Sequence, residues 1–197
     1  MPDDSRLIWF ERLVRTRQWG QAEHLISVHT RNLWDGGDRK EAISMSIECG
    51  NILLQAGGIG EAADMFTHAA VWLMALGDCD GAATLYSKFA DELLHRKLYG
   101  WAASRYYDAA MSYIAKGRIK DAAKVLEATE PNFHDIPGEE FWRRQYSRDL
   151  AVLRKDAGEL LKLSELERVF RDAGRDDWAR CCESGISFLA TGRIAAA

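Results

Sequence analysis

Five histidines, four cysteines and thirty acidic side chains are the groups through which this 197-residue chain could do chemistry. Their spacing fits none of the common templates. There is no glycine-lysine phosphate loop, no GxGxxG, no HExxH and no GxSxG, so the anion cradles, metal pairs and nucleophile elbows those motifs build are not encoded. Gly58-Ile59-Gly60-Glu61-Ala62-Ala63 approaches a dinucleotide fingerprint, but that fingerprint needs a preceding strand and the residues before it read as helix. Asp78-Cys79-Asp80-Gly81 supplies half of a calcium loop without its later ligands or closing glutamate. His24 and His29 stand five residues apart in one helix, about 140° round it, and cannot share a metal. Cys181 and Cys182 are neighbours in a helix, where a bridge between them is strained, and they read as small apolar fillers. No metal, no cofactor and no catalysis are expected.

Two sets of residues have the character of contact surfaces instead. Shifting one helix by 40 residues aligns Ser44 with Thr84, Glu48 with Lys88, Asn51 with Asp91 and Gln55 with His95. Steps of 4, 3 and 4 trace one stripe along a helix, so Glu48, Asn51, Gln55, Lys88, Asp91 and His95 are candidate partner-binding residues. A solvated polar face reads the same way. The second set is Trp142 with Arg143, Arg144 and nearby Arg148, because aromatic and arginine side chains concentrate at the energetic centres of interfaces. The other tryptophans, at 9, 19, 34, 72, 101 and 178, read as packing anchors.

Composition narrows the partners. Hydrophobic residues make up 47% of the chain and charged residues 28%, with three prolines, which marks an ordered globular protein. A net charge of -4 gives no general attraction to phosphate backbones or anionic lipid, so neither nucleic acid nor membrane is expected. No window approaches a membrane span, and MPDDSRLIWFERLVRTRQW has acids before its first base and no uninterrupted apolar run, unlike a secretory leader. Cysteines 49, 79, 181 and 182 form neither a CxxC pair nor a disulfide framework, which suits a reducing, cytoplasmic setting.

The elements that must position these residues are written in a repeat. Gln21-Ala22, Glu41-Ala42, Glu61-Ala62-Ala63, Gly81-Ala82-Ala83, Trp101-Ala102-Ala103 and Asp121-Ala122-Ala123 recur every 20 residues. Gly37, Gly57, Gly77 and Gly117 precede them, with Lys97 where one more glycine would complete the run. A glycine suits the left-handed residue past a helix end, and an alanine pair suits the first turn of the next helix. Each block is therefore one helix and one tight turn. The turns alternate between an apolar residue before glycine (Trp19-Gly20, Ile59-Gly60, Tyr99-Gly100) and glycine before a charge (Gly37-Asp38, Gly77-Asp78, Gly117-Arg118), so helices pair as A and B with a period of about 40. A helices are predicted near 4 to 16, 40 to 56, 80 to 96 and 120 to 130, and B helices near 21 to 35, 60 to 76 and 100 to 116. Residues 1–130 form the repeats, 131–138 a proline-containing loop, and 139–197 further hairpins, with helices near 139 to 156, 159 to 173 and 177 to 190. Asp177-Trp178-Ala179-Arg180 echoes Gly100-Trp101-Ala102-Ala103.

Within B helices, Ala103, Tyr107 and Ala110, like Ala62, Phe66 and Ala69, put two small residues and an aromatic on one face. With the Gly-Asp turns, this resembles the tetratricopeptide repeat superfamily, whose unit is a helix hairpin of about 34 residues. Phrases such as AATLYSKFADELL and AASRYYDAAMSYIAKG are most similar to the longer repeats of soluble NSF attachment proteins, over residues 20 to 130. This chain is mildly acidic and ends RIAAA, where those adaptors have basic surfaces and a leucine-rich tail. The resemblance implies an all-α, right-handed α-solenoid of antiparallel helix pairs whose A helices line a concave groove. It implies a protein–protein interaction adaptor or scaffold gripping another protein there. The alternatives are a structural subunit of a larger complex or homo-oligomer, self-associating through the apolar C-terminal segment GISFLATGRIAAA, and a helical sensor of a small ligand.

Overall fold

The computed structural model describes residues 4–133, 136, 138–155 and 158–191, and among them every regular element is helical. The helices are α1 (Asp4–Arg15), α2 (Trp19–Gly36), α3 (Arg39–Ala56), α4 (Ile59–Ala75), α5 (Cys79–His95), α6 (Tyr99–Ile114), α7 (Ile119–Thr129), α8 (Glu140–Leu153), α9 (Glu159–Asp172) and α10 (Asp176–Thr191), with a 3-10 turn at Glu130–Phe133. The helices predicted from spacing coincide with these to within a few residues. The loop expected at 131–138 is described only in part, and the RIAAA terminus lies outside the described residues.

One turn accounts for the 20-residue period. Residues 17, 37, 57, 77, 97 and 117 all have positive φ, between 59° and 97°, so Arg17 and Lys97 occupy the position that glycine takes elsewhere. The amide of the following residue reaches back to the helix it leaves: Gln18 to Leu13 O, Asp38 to Leu33 O, Gly58 to Leu53 O and Leu98 to Leu93 O, each at 2.9 Å. The left-handed residue donates to the carbonyl three before it, as Lys97 does to Leu94 O at 2.9 Å, which completes a Schellman cap. The carbonyl of the residue after it then accepts the first bond of the next helix, from Ala22, Ala42, Ala62, Ala102 or Ala122. Residue 18 and its repeats therefore end one helix and cap the next, and the alanine closes the new first turn. The two turn types expected from their side chains share this one backbone. Gly174, Arg175 and Ala179 rebuild it between α9 and α10, where Arg175 N meets Phe170 O at 2.9 Å.

The register alanines are also the core. Ala22, Ala42, Ala62, Ala82, Ala102 and Ala122 are all fully buried, and their small side chains let the next helix approach closely. Larger residues fill the space between, among them Phe10, Ile26, Leu53, Met65, Leu93 and Leu126; each contributes roughly 1.5–3 kcal/mol by leaving water.

The chain divides into two compact units, Met1–Asp78 and Cys79–Ala197. In the first, α1 pairs with α2 and α3 with α4, while α2 also packs on α3 and α4 and α1 on α3. Trp19 lies over the Gly57-Gly58 turn, with its ring 3.0 Å from where a Gly58 Cβ would be. In the second, α5 pairs with α6, α6 with α7, α7 with α8 and α9 with α10, and α10 also crosses α6. That crossing is set by Gly185, where a Cβ would stand 2.2 Å from the Ile114 carbonyl oxygen.

Candidate functional site

In the first unit, α1 and α2 leave a groove of about 570 Å³ open on their shared face. Arg6, Trp9 and Leu13 line it from α1, at the 3 and 4 steps of one helical stripe, and Gly20, Gln21, His24 and Leu25 line it from the opening turns of α2. Phe10 and Val14 take the buried stripe of α1, which leaves Trp9 55% exposed and Ile8 66% exposed beside it. Arg12 lies over the Trp9 ring at 5.2 Å, and Arg6 reaches across to His29 Nδ1 at 2.6 Å. Gly20 contributes room, since nothing stands within 4 Å of the place a Cβ would occupy.

The groove escaped the sequence reading, although α1 carried a signal. Leu7, Ile8, Trp9, Phe10, Leu13 and Val14 span more of the helix surface than one buried stripe can cover, so part of that arc had to face solvent.

The polar stripes lie where the spacing placed them on their helices. Glu48, Asn51 and Gln55 are exposed on α3 in the first unit, and Lys88, Asp91 and His95 are exposed on α5 in the second. Asp91 accepts a hydrogen bond from the Tyr106 hydroxyl, and His95 Nδ1 sits 2.8 Å from the Asp91 carbonyl oxygen. These two residues therefore help hold α5 to α6 and to its own last turn.

Of the second expected patch, Arg144 is exposed and Arg143 half-buried. Trp142 is half-buried as well, its ring 5.9 Å from Tyr107 and 6.5 Å from Trp178. Exposure at that helix start passes instead to Phe141, 62% exposed and edge-on to Trp142 at 5.2 Å. Arg148 is committed to Asp149, Nε to Oδ1 at 2.8 Å.

Trp142 belongs to a buried polar and aromatic cluster that joins α6, α8 and α10. Tyr107 stacks on Trp178 at 4.5 Å, and Arg175 covers Trp178 at 3.4 Å. The carboxyl group of Asp149, 1% exposed, accepts from Tyr107 Oη at 2.7 Å and Gln145 Nε2 at 2.6 Å as well as from Arg148. Asp108 accepts from Trp178 Nε1 at 3.2 Å and pairs with Arg105 at 3.1 Å. Burial lifts the Asp108 carboxyl above its ordinary range, against the pull of Arg105. Burial, then the neighbouring Asp149, lifts the Tyr107 hydroxyl well above its ordinary value. The Asp149 and Asp108 carboxyls find their partners within the cluster, so its chemistry is that of packing.

The cysteines are unpaired, and Cys49, Cys79 and Cys182 are buried. Burial pushes the Cys49 thiol up to about 12 and Cys181 up to about 11, the opposite of an activated nucleophile. No group of three or more His, Cys, Asp or Glu among the described residues could hold a metal ion, and no helix among them is long and apolar enough to cross a membrane.

The class this defines is an all-α protein of helical hairpins in repeat-like order. No protein-family model matches the chain, and no curated protein matches it. The solved structure of BtubC (BKLC) from P. vanneervenii is similar at 14% identity, over 100% of this chain and 97% of that one, with a TM-score of 0.35. At that score the likeness carries no functional argument.

Proposed function

We propose that this chain is a non-catalytic protein–protein interaction module, an adaptor or scaffold that grips a partner protein through its helical faces in a reducing, cytoplasmic setting. The observation that carries the reading is the α1–α2 groove, an apolar floor beside a half-exposed tryptophan. Soluble proteins rarely expose such surface without a partner for it. The likeness of the repeats to tetratricopeptide-type hairpins supports the same reading and adds the α3 and α5 stripes as further contacts.

The test is affinity capture of the full chain from its own lysate, repeated with Trp9→Ala, Glu48→Lys and Lys88→Glu. Loss of one heterologous partner in any of these, with unchanged melting, is the expected result. Capture of no heterologous protein would sink the reading. A structural-subunit reading is favoured by the exposed Phe141, Leu160 and Leu161 on α8 and α9. It expects a mass in solution well above 22.2 kDa.

A further inference from the structure

We propose that the α9–α10 hairpin is a clasp on α6 that opens as one body and bares the α6 face between Tyr107 and Gly117. The inference goes beyond the partner-binding reading above and concerns which face of the second unit can be reached.

That side of α6 is covered by two different helices. Its first half meets α8: Trp142 Nε1 lies 3.5 Å from where a Gly100 Cβ would be, and Tyr146 Oη donates to Ala103 O at 3.2 Å. From Tyr107 onward the cover is α10, with Trp178 stacked on Tyr107 at 4.5 Å, Gly185 against the Ile114 carbonyl and Leu189 over Gly117. Both of the later contacts use a glycine as a slot. A Gly117 Cβ would stand 2.7 Å from Leu189 Cδ2, and a Gly185 Cβ 2.2 Å from the Ile114 oxygen. Packing this close is held fully or lost, because a gap of about 0.5–1 Å already forfeits a quarter to a half of each contact.

The polar groups are divided so that opening strands none of them. On the α6 side, Asp108 keeps Arg105 of its own helix at 3.1 Å, and Tyr107 keeps Asp149 of α8 at 2.7 Å. On the hairpin side, Arg171 pairs with Glu167 on α9 and Glu183 on α10, Arg175 pairs with Asp177, and Phe170 packs edge-on to Trp178 at 5.4 Å. Lys155 and Lys162 tie α9 to the end of α8, through Glu165 and the Leu153 carbonyl, at the place about which the hairpin would turn. Across the seam Trp178 Nε1 donates to Asp108 at 3.2 Å, and water replaces that bond on both sides once the seam is open.

Asp108 sets how tightly the clasp holds. The groups that face it are Arg105 on its own helix, Arg175, Asp177, Trp178 and Cys181 from the hairpin, and Tyr146 from α8. Burial lifts its carboxyl above the ordinary 3.8 in spite of Arg105 and Arg175. The docked form therefore holds the proton more tightly than the open form, where the carboxyl regains water. Docking is strongest below pH 3.8 and weakens as the pH rises through the lifted value.

Hydrogen exchange of the full chain, resolved by segment and corrected for the intrinsic effect of pH, tests the clasp. Helices α9 and α10 are expected to exchange through one shared opening, faster than α5, α6 and α8. Asp108→Asn keeps an acceptor for Trp178. It should slow that opening at neutral pH about tenfold for each unit by which burial lifts the carboxyl, and flatten its rise from acid to neutral pH. Gly185→Leu overfills the slot and should strip protection from α9 and α10 while α5 and α6 stay protected. Exchange of α9 and α10 only together with α5 to α8, or of α10 without α9, would overturn the proposal. So would an Asp108→Asn opening no slower than the parent's, or loss of protection in α5 and α6 on Gly185→Leu.

Discussion

The two compact units use the same turn and fill their interiors differently. The first unit has no tyrosine at all and stacks its hairpins on alanine, leucine, isoleucine, methionine and phenylalanine, with Trp34 on Trp72 at 5.2 Å near the ends of α2 and α4. The second holds all six tyrosines, at 86, 99, 106, 107, 113 and 146, and ties α6 to α8 and α10 with the Tyr107, Asp149, Asp108 and Trp178 bonds. Where each hairpin meets the next in the same register, apolar side chains suffice, because every interface repeats the last. Where α10 crosses α6 outside the 20-residue period, no register fixes the contact. Directional hydrogen bonds and stacked rings, which tolerate little displacement, hold it in place.

The contrast is broken most violently at Gly185. An added methyl there would lie 2.2 Å from the Ile114 carbonyl oxygen, which is backbone and cannot rotate away, and 3.0 Å from Leu163 Cδ1. Gly185→Ala is expected to lower the stability of the second unit by about 3 kcal/mol, at the upper end of overpacking costs, read as a shifted denaturant midpoint. Gly60→Ala in the first unit meets nothing within 4 Å. It should leave stability unchanged or raise it by up to about 1 kcal/mol, since alanine is the better helix former. Comparable losses from both would erase the distinction.

Next in size is Tyr107→Phe, which removes a donor from the buried Asp149 and is expected to cost about 1–3 kcal/mol. It also changes a pH dependence. Tyr107 is lifted well above 10 in the folded chain by burial and by Asp149, so folding holds its proton more tightly than the unfolded chain does. Stability from this source is complete below about pH 10 and is lost as the pH rises beyond it. Tyr146 is raised by burial in the same way and adds to the loss. Tyr107→Phe should flatten the alkaline decline of the second unit in hydrogen exchange resolved by segment. The first unit should be untouched by that change; its comparable group is the Cys49 thiol, lifted to about 12 by burial.

How far the sequence foretold this follows the same division. The positive-φ glycines and the buried alanines are single-residue signals with a fixed spacing, so every helix of the repeat was legible to within a few residues. Arg17 was missed as a member of the series because its side chain says nothing of a left-handed backbone, whereas Lys97 was caught only by counting. Gly185, sitting in the apolar segment GISFLATGRIAAA that reads as a self-association surface, gives no hint that it is a crossing point. Trp142 was read as a surface residue because it sits beside Arg143 and Arg144, and only the fold shows Tyr107 and Trp178 waiting for it. The groove was hidden for the converse reason: an apolar residue on a helix is expected inside, and Trp9 is exposed because Phe10 and Val14 already fill the buried stripe.

The smallest expected effects test what the two units share. Arg17 in the first and Lys97 in the second adopt φ of 59° and 62°, a left-handed conformation that costs a residue with a Cβ about 1–2 kcal/mol. Glycine removes that cost but loses more conformational entropy on folding, which offsets about 0.5–1 kcal/mol. Arg17→Gly and Lys97→Gly should therefore each raise stability by about 0.5–1 kcal/mol, and Gly57→Ala, at φ 97°, should lower it by about 1 kcal/mol. The Gly57 loss would come from backbone strain, because an alanine methyl there would meet Trp19 at an ordinary 3.7 Å. Equal gains at 17 and 97 in thermal melts would establish one interchangeable turn beneath two kinds of core. A gain in one unit alone would mean that the cores constrain the turns they flank, and that the 20-residue period is less uniform than its backbone.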